Sequence, residues 1–175
     1  MMKKLITAAI LGSLLLMSHL LISCAEKEET EVSPFSAAEI SGKVLWTRIT
    51  EETDYTNYEF WPDHEGLKPG QAPHGAYHKV YINTPLLDAL PVEDRTAPDG
   101  SIIVKENYSP DEKLAAVTVM AKVEGYDPEH GDWFWAKYSP QGEVQVAGKP
   151  DGCISCHAGM KDNDYVIIQP LDKAE

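Results

Sequence analysis

Leu114-Ala-Ala-Val-Thr-Val-Met-Ala-Lys-Val-Glu124 is the run that decides the architecture of this chain. With a period of two, Ala115, Val117, Val119, Ala121 and Val123 share one side of an extended strand. Similar runs lie on both sides of it. Upstream, the turn Pro98-Asp99-Gly100 leads into a predicted strand over Ser101 to Tyr108. Ile103 and Lys105 share one of its faces; Ile102, Val104 and Glu106 share the other. Earlier still, Ala76 to Asn83 places Ala76, His78, Val80 and Ile82 together, with Tyr77 and Tyr81 on the opposite, semi-exposed face. Downstream, the turn Asp127 to Gly131 precedes a strand over Asp132 to Tyr138, and Pro140-Gln141-Gly142 turns again. Trp133, Phe134, Trp135 and Tyr138 on that strand either fill the core or wall a pocket. Tyr165 to Ile168 is expected to be a last short extended piece.

Helical signals are short. Ser36 with Glu39 forms a capping box, followed by Ile40, Val44, Leu45 and Ile49 on one helical face. A second short helix is expected over Pro85 to Leu90. Between Glu51 and Gly75, prolines and glycines predict a long loop with one helical turn, placed to cover a bound group. These elements predict an α+β fold, an antiparallel β-sheet-rich single domain with short helices at the ends of the sheet. Period-two runs do not suit a helix bundle.

Near the C-terminus stands Cys153-Ile154-Ser155-Cys156-His157. This spacing suits covalent haem c, one thiol adding to each porphyrin vinyl and the next residue, His157, acting as axial iron ligand. Half a zinc site or a redox dithiol would share the spacing. The only other cysteine is Cys24, and no βαβ context surrounds the motif. Met160 is too close to His157 to reach the other haem face. Met120 is either a ligand or core filling.

At the other end, Lys3 and Lys4 precede an apolar run from Leu5 to about Ile22, closing in Leu21-Ile22-Ser23-Cys24. That pattern suits a lipoprotein signal peptide over residues 1–23, with Cys24 lipidated; a membrane anchor is the alternative. Both readings place the body outside the cytoplasm, facing the periplasm, where c-type haem is attached. Residues 24–35 read as a charged flexible tether, and 36–175 as the haem domain. The signal carries two lysines and no acid, so the rest is more acidic than the whole chain, whose formal net charge is −13. Such charge argues against nucleic acid or anionic lipid as partners, leaving the lipid anchor as the only tie to the membrane. It suits a basic redox partner, or simply solubility.

From roughly Pro73 to Pro170 the chain resembles the cytochrome P460 family. The resemblance rests on Lys79-Val80-Tyr81-Ile82-Asn83, Asp99-Gly100-Ser101-Ile102-Ile103-Val104-Lys105-Glu106, Gly131-Asp132-Trp133, Cys153 to His157, and Asp164-Tyr165-Val166, in that order. It implies a β-rich homodimer with a five-coordinate haem held by histidine. It also implies that Lys105, at the family's signature lysine, is joined covalently to the porphyrin edge. Taken alone, Lys105 either shares a buried face with Ile103 or faces water on an edge strand.

Enzymes of the family oxidise hydroxylamine and pass electrons to a periplasmic acceptor; the β-type of cytochrome c′ binds nitric oxide or similar gases. Simple electron transfer is a further reading, and it would need a sixth protein ligand. The family's proton-moving carboxylate falls near Ala158-Gly159-Met160, where this chain has no acid before Asp162. His78, where the family often has arginine, is the candidate distal acid or base, with His74 just upstream. A core histidine bonded to backbone is the alternative for His78. His64, His74 and His130 read as exposed loop residues, and His19 belongs to the signal.

Overall fold

The computed structural model describes residues 34–173; the signal, Cys24 and most of the tether lie outside them. Among the described residues, seven strands form one antiparallel sheet. Two short strands, β1 (Glu59–Phe60) and β2 (Lys68–Pro69), both pair with β3 (Tyr77–Ile82). Next come β4 (Ile102–Tyr108), β5 (Leu114–Lys122), β6 (Trp133–Tyr138) and β7 (Val144–Gly148), each beside its predecessor. The α+β fold read from the sequence is the observed one.

Each long strand is buried on both faces, because the sheet is covered on both sides. On one side Tyr81, Val104, Val119, Phe134 and Tyr138 pack against Leu45 and Ile49. These last two belong to α1 (Gly42–Thr47) and the π-helical turn Arg48–Glu52 behind it. The Tyr138 hydroxyl donates to the Gly42 carbonyl at 2.8 Å, tying α1 to β6. On the other side Val80, Ile82, Ile103, Met120, Trp133 and Trp135 meet Ile154, Tyr165, Val166 and Leu171. Ile154 sits in α3 (Asp151–His157), and α2 (Thr84–Ala89) adds Leu86 to the same cluster. The helices thus lie on the faces of the sheet rather than at its ends.

Several local expectations are corrected. Ser36 opens only a single turn, accepting from the amides of Glu39 and Ile40. The helix starts later, capped by the Ser41 side chain at the Val44 amide, 3.2 Å away. Val44 is exposed while Leu45 and Ile49 are buried, since at about 100° per residue Val44 stands well round the helix from both. Ala115 leaves the apolar face because a bulge pairs Asn107 with Ala116 and Tyr108 with Leu114, and Ala115 is the extra, exposed residue. Tyr81 is buried rather than semi-exposed, since the α1 layer covers its face. Strand β7, not expected from the sequence, carries Val144 and Val146 exposed. The expected extended piece at Tyr165 is a turn: Asp164 and Tyr165 take φ of 50° and 63°.

Candidate functional site

A cavity of about 890 Å³ opens on the α3 side of the sheet. Its floor is the middle of β3 to β6: Val80, Ile103, Lys105, Thr118, Met120 and Trp135 all line it. Cys153, Cys156 and His157 from α3 line it too, as do the loop Pro69–Gly75 and the segment Val166–Ile168. Spacings of three and four residues put both thiols and the imidazole along one stripe of α3, while Ile154 is buried in the apolar cluster beneath. Both cysteines are free thiols, Cys153 half-buried and Cys156 exposed. Burial, then the neighbouring Cys156, pushes the Cys153 thiol above its ordinary pKa.

His157 is held by its Nδ1, 2.8 Å from the Tyr165 carbonyl. That carbonyl accepts, so Nδ1 carries the proton and Nε2 keeps its lone pair. Burial is the largest cause lowering the pKa of His157, which favours the neutral, ligating form. The Trp135 indole stands edge-on to this ring at 4.7 Å between centroids. The Tyr165 carbonyl is in turn fixed by its neighbour. Both Asp164 carboxylate oxygens take hydrogen bonds from Lys122 Nζ (2.8 and 2.7 Å), one also from the Ala97 amide at 2.9 Å. The Asp164 carbonyl accepts from Trp133 Nε1 at 2.8 Å. Two successive left-handed residues are thereby anchored behind the imidazole.

Lys105 lies on the cavity face of β4, and burial lowers its pKa. Its neighbour Glu106 is buried on the opposite face, accepting from the hydroxyls of Tyr55, Tyr81 and Tyr108 at 3.0, 3.2 and 2.7 Å. The alternation read from the sequence therefore holds along β4, and Lys105 is not on an edge strand.

His78 lines the same cavity from β3 and is only 7% exposed. Burial, with Lys105, His64 and His74 nearby, holds its pKa at about 4. Its partner is not backbone: His78 Nε2 lies 2.7 Å from His64 Nε2. His64, expected to be exposed, is half-buried through this contact. His74 is also half-buried and lines the cavity, its ring 6.3 Å from that of His157. Burial, Lys105 and His157 bring its pKa to about 4. His130 stays in its turn, paired with Asp127 at 3.0 Å. Of the aromatic group on β6, only Trp135 lines the cavity; Trp133, Phe134 and Tyr138 are core. No Asp or Glu is among the described lining residues. His64, Asn107, Thr118 and the Tyr165 carbonyl had no signal in the sequence, since each gains its place only from strand pairing or chain reversal.

A family model described as Cytochrome P460 matches residues 53–168, which span every strand and α3. The chain belongs to the cytochrome P460 family. No curated protein matches it. Membership implies a c-type haem, and the cytochrome P460 cavity here fits one. Its walls are mostly apolar. Three polar atoms of lining residues, His78 Nδ1, Asn107 Oδ1 and Trp135 Nε1, are buried without a hydrogen-bond partner. Buried polar atoms are rarely left so, and these three suit a cavity made for a guest with polar groups of its own. Cys153 and Cys156 supply two thiols on one stripe, and His157 an oriented imidazole.

Proposed function

We propose that this protein is a periplasm-facing mono-haem c-type cytochrome that carries out redox chemistry on small nitrogen compounds, hydroxylamine or nitric oxide. Cys153 and Cys156 would hold the haem by thioethers, His157 would be its axial ligand, and Lys105 would make a third link to the porphyrin edge. The bound haem supplies an open iron position and a path for electrons to a periplasmic acceptor. The protein's own residues do the rest. The Tyr165 carbonyl sets the tautomer of His157. Apolar walls from Val80, Ile103 and Met120 keep bulk water out. His78, held neutral at pH 7, accepts a proton given up by the substrate. Attachment through Cys24 would tie the chain to the membrane, and a homodimer completes the reading.

The observation that carries this reading is the meeting of Lys105, His78, Cys153, Cys156 and His157 on one cavity. It is tested by the absorption spectrum of the dithionite-reduced protein and the mass of its haem peptides. A Soret band well to the red of ordinary ferrous c-type haem, with a Lys105 peptide on the porphyrin, is expected. Lys105→Ala is expected to keep the thioethers and return the band to its ordinary position. An unchanged spectrum in that variant would remove the third link.

One feature favours a second reading, nitric oxide binding without turnover. The described lining holds no carboxylate to move protons. Hydroxylamine oxidation at wild-type protein with an added electron acceptor supports the first reading. Tight nitric oxide binding with no hydroxylamine turnover supports the second.

A further inference from the structure

A cavity that takes up protons from a substrate needs a way to lose them. His78 is buried, and its Nδ1 has no partner in the protein. Gly70 lies beside that nitrogen and also lines the cavity; a Cβ there would stand 3.3 Å from Nδ1 and 2.6 Å from the Gly75 carbonyl. With no side chain at Gly70, only its backbone lies against this buried, unpartnered nitrogen.

At the other end of the ring, Nε2 meets His64 Nε2 at 2.7 Å, with the two rings 11° from parallel. Two bare nitrogens at this distance would repel, and two N–H groups would clash. One ring therefore donates and the other accepts. His64 belongs to the loop between β1 and β2, is only partly buried, and has exposed Asp63 and Glu65 on either side. The pair thus runs from the cavity towards water.

The surroundings keep both rings neutral near pH 7. His78 is faced by Lys105, His64 and His74, and His64 by Lys68 and Lys105. For both rings burial is the largest cause lowering the pKa, and only Glu65 acts against it at His64.

On the reading above, in which substrate gives up protons in this cavity, we infer that His78 and His64 form a two-ring proton relay to solvent. His78 Nδ1 takes a proton from the cavity. The proton on His78 Nε2 passes to His64 Nε2, and His64 Nδ1 releases its own proton to water. One proton enters and one leaves, and both rings end in the opposite tautomer, from which they reset by turning over or by exchange with water. His78 touches the reacting group; His64 acts through it.

The relay is tested in the haem-loaded full chain by following proton release during hydroxylamine oxidation, with an indicator dye in weak buffer. His64→Ala is expected to slow release roughly tenfold or more while the haem spectrum stays unchanged. Added imidazole is expected to restore it. His64→Gln keeps a hydrogen bond to His78 but lacks a second ring nitrogen, so it is expected to be as slow as His64→Ala. Release at the wild-type rate in either variant, or no restoration by imidazole, overturns the relay and leaves the proposed function standing.

Should wild-type protein oxidise no hydroxylamine, the enzymatic reading fails and the relay is read separately. In the ferrous carbon monoxide complex with ¹⁵N-labelled histidine, one proton coupled to both Nε2 atoms supports it. Two rings each carrying an uncoupled proton overturn it.

Discussion

One imidazole nitrogen decides what α3 can do. Because His157 Nδ1 is committed to the Tyr165 carbonyl, only Nε2 is left to ligate, and the two cysteines beside it fix where a porphyrin would lie. Changing Cys153 and Cys156 together to alanine is expected to leave no thioether-bound haem. Denaturing gel electrophoresis with haem staining measures this, and any residual stain should vanish when Lys105→Ala is added. His78 gives a second prediction at this scale. Its pKa in the folded chain is about 4 against an ordinary 6.5, so the unfolded chain binds more protons between those values. Stability contributed by the neutral ring is present above about pH 6.5 and is lost as pH falls towards 4. From pH 7 to pH 4, wild type should therefore lose on the order of 2 kcal/mol more than His78→Gln, read from urea midpoints. Equal losses would show that His78 titrates as it does in water.

At the scale of elements, strands were far easier to read than helix ends or turns. Alternation along β4 placed Lys105 with Ile103 and Glu106 opposite, because a pleated strand leaves a side chain no third direction. The same rule failed at Ala115, where a bulge adds a residue without any mark in the sequence. Short helices such as α1 obey their caps, and two serines five residues apart both qualify as caps. The turn at Asp164 and Tyr165 was the least legible. Neither residue favours positive φ strongly enough to announce it, and the long-range bonds to Lys122, Ala97 and Trp133 hold it there. Of these, the ion pair is buried, with both side chains under 10% exposed. Lys122→Met strands a carboxylate, and is expected to cost about 3–5 kcal/mol by chemical denaturation. It should also disturb the His157 environment in the haem spectrum, because the carbonyl that orients His157 hangs on the same turn.

The described domain is a sheet with one face filled and one that leaves a cavity. The α1 layer fills the first with leucine, isoleucine and aromatic rings; the second leaves about 890 Å³ beside α3. A guest that binds only the folded chain stabilises it. Haem-loaded protein should therefore melt at a higher temperature than the doubly substituted Cys153→Ala, Cys156→Ala protein, measured by circular dichroism away from haem bands. Equal melting temperatures would mean that the cavity keeps its shape unaided. The cavity could not be anticipated in outline. Its walls come from residues dozens of positions apart, and the loop expected to cover it contributes Pro69 to Gly75 but also two short strands.

The order of elements has a consequence for how such a protein matures. All seven strands precede Cys153 in the chain. Synthesis from the N-terminus therefore makes the residues of every described strand, Lys105 and His78 among them, before the first thiol of the motif. The thiols ride on α3, joined to the sheet by a short link from β7. Ile154 and Tyr165, in one apolar cluster with Ile103 and Met120, join that late-made segment to strands made well before it.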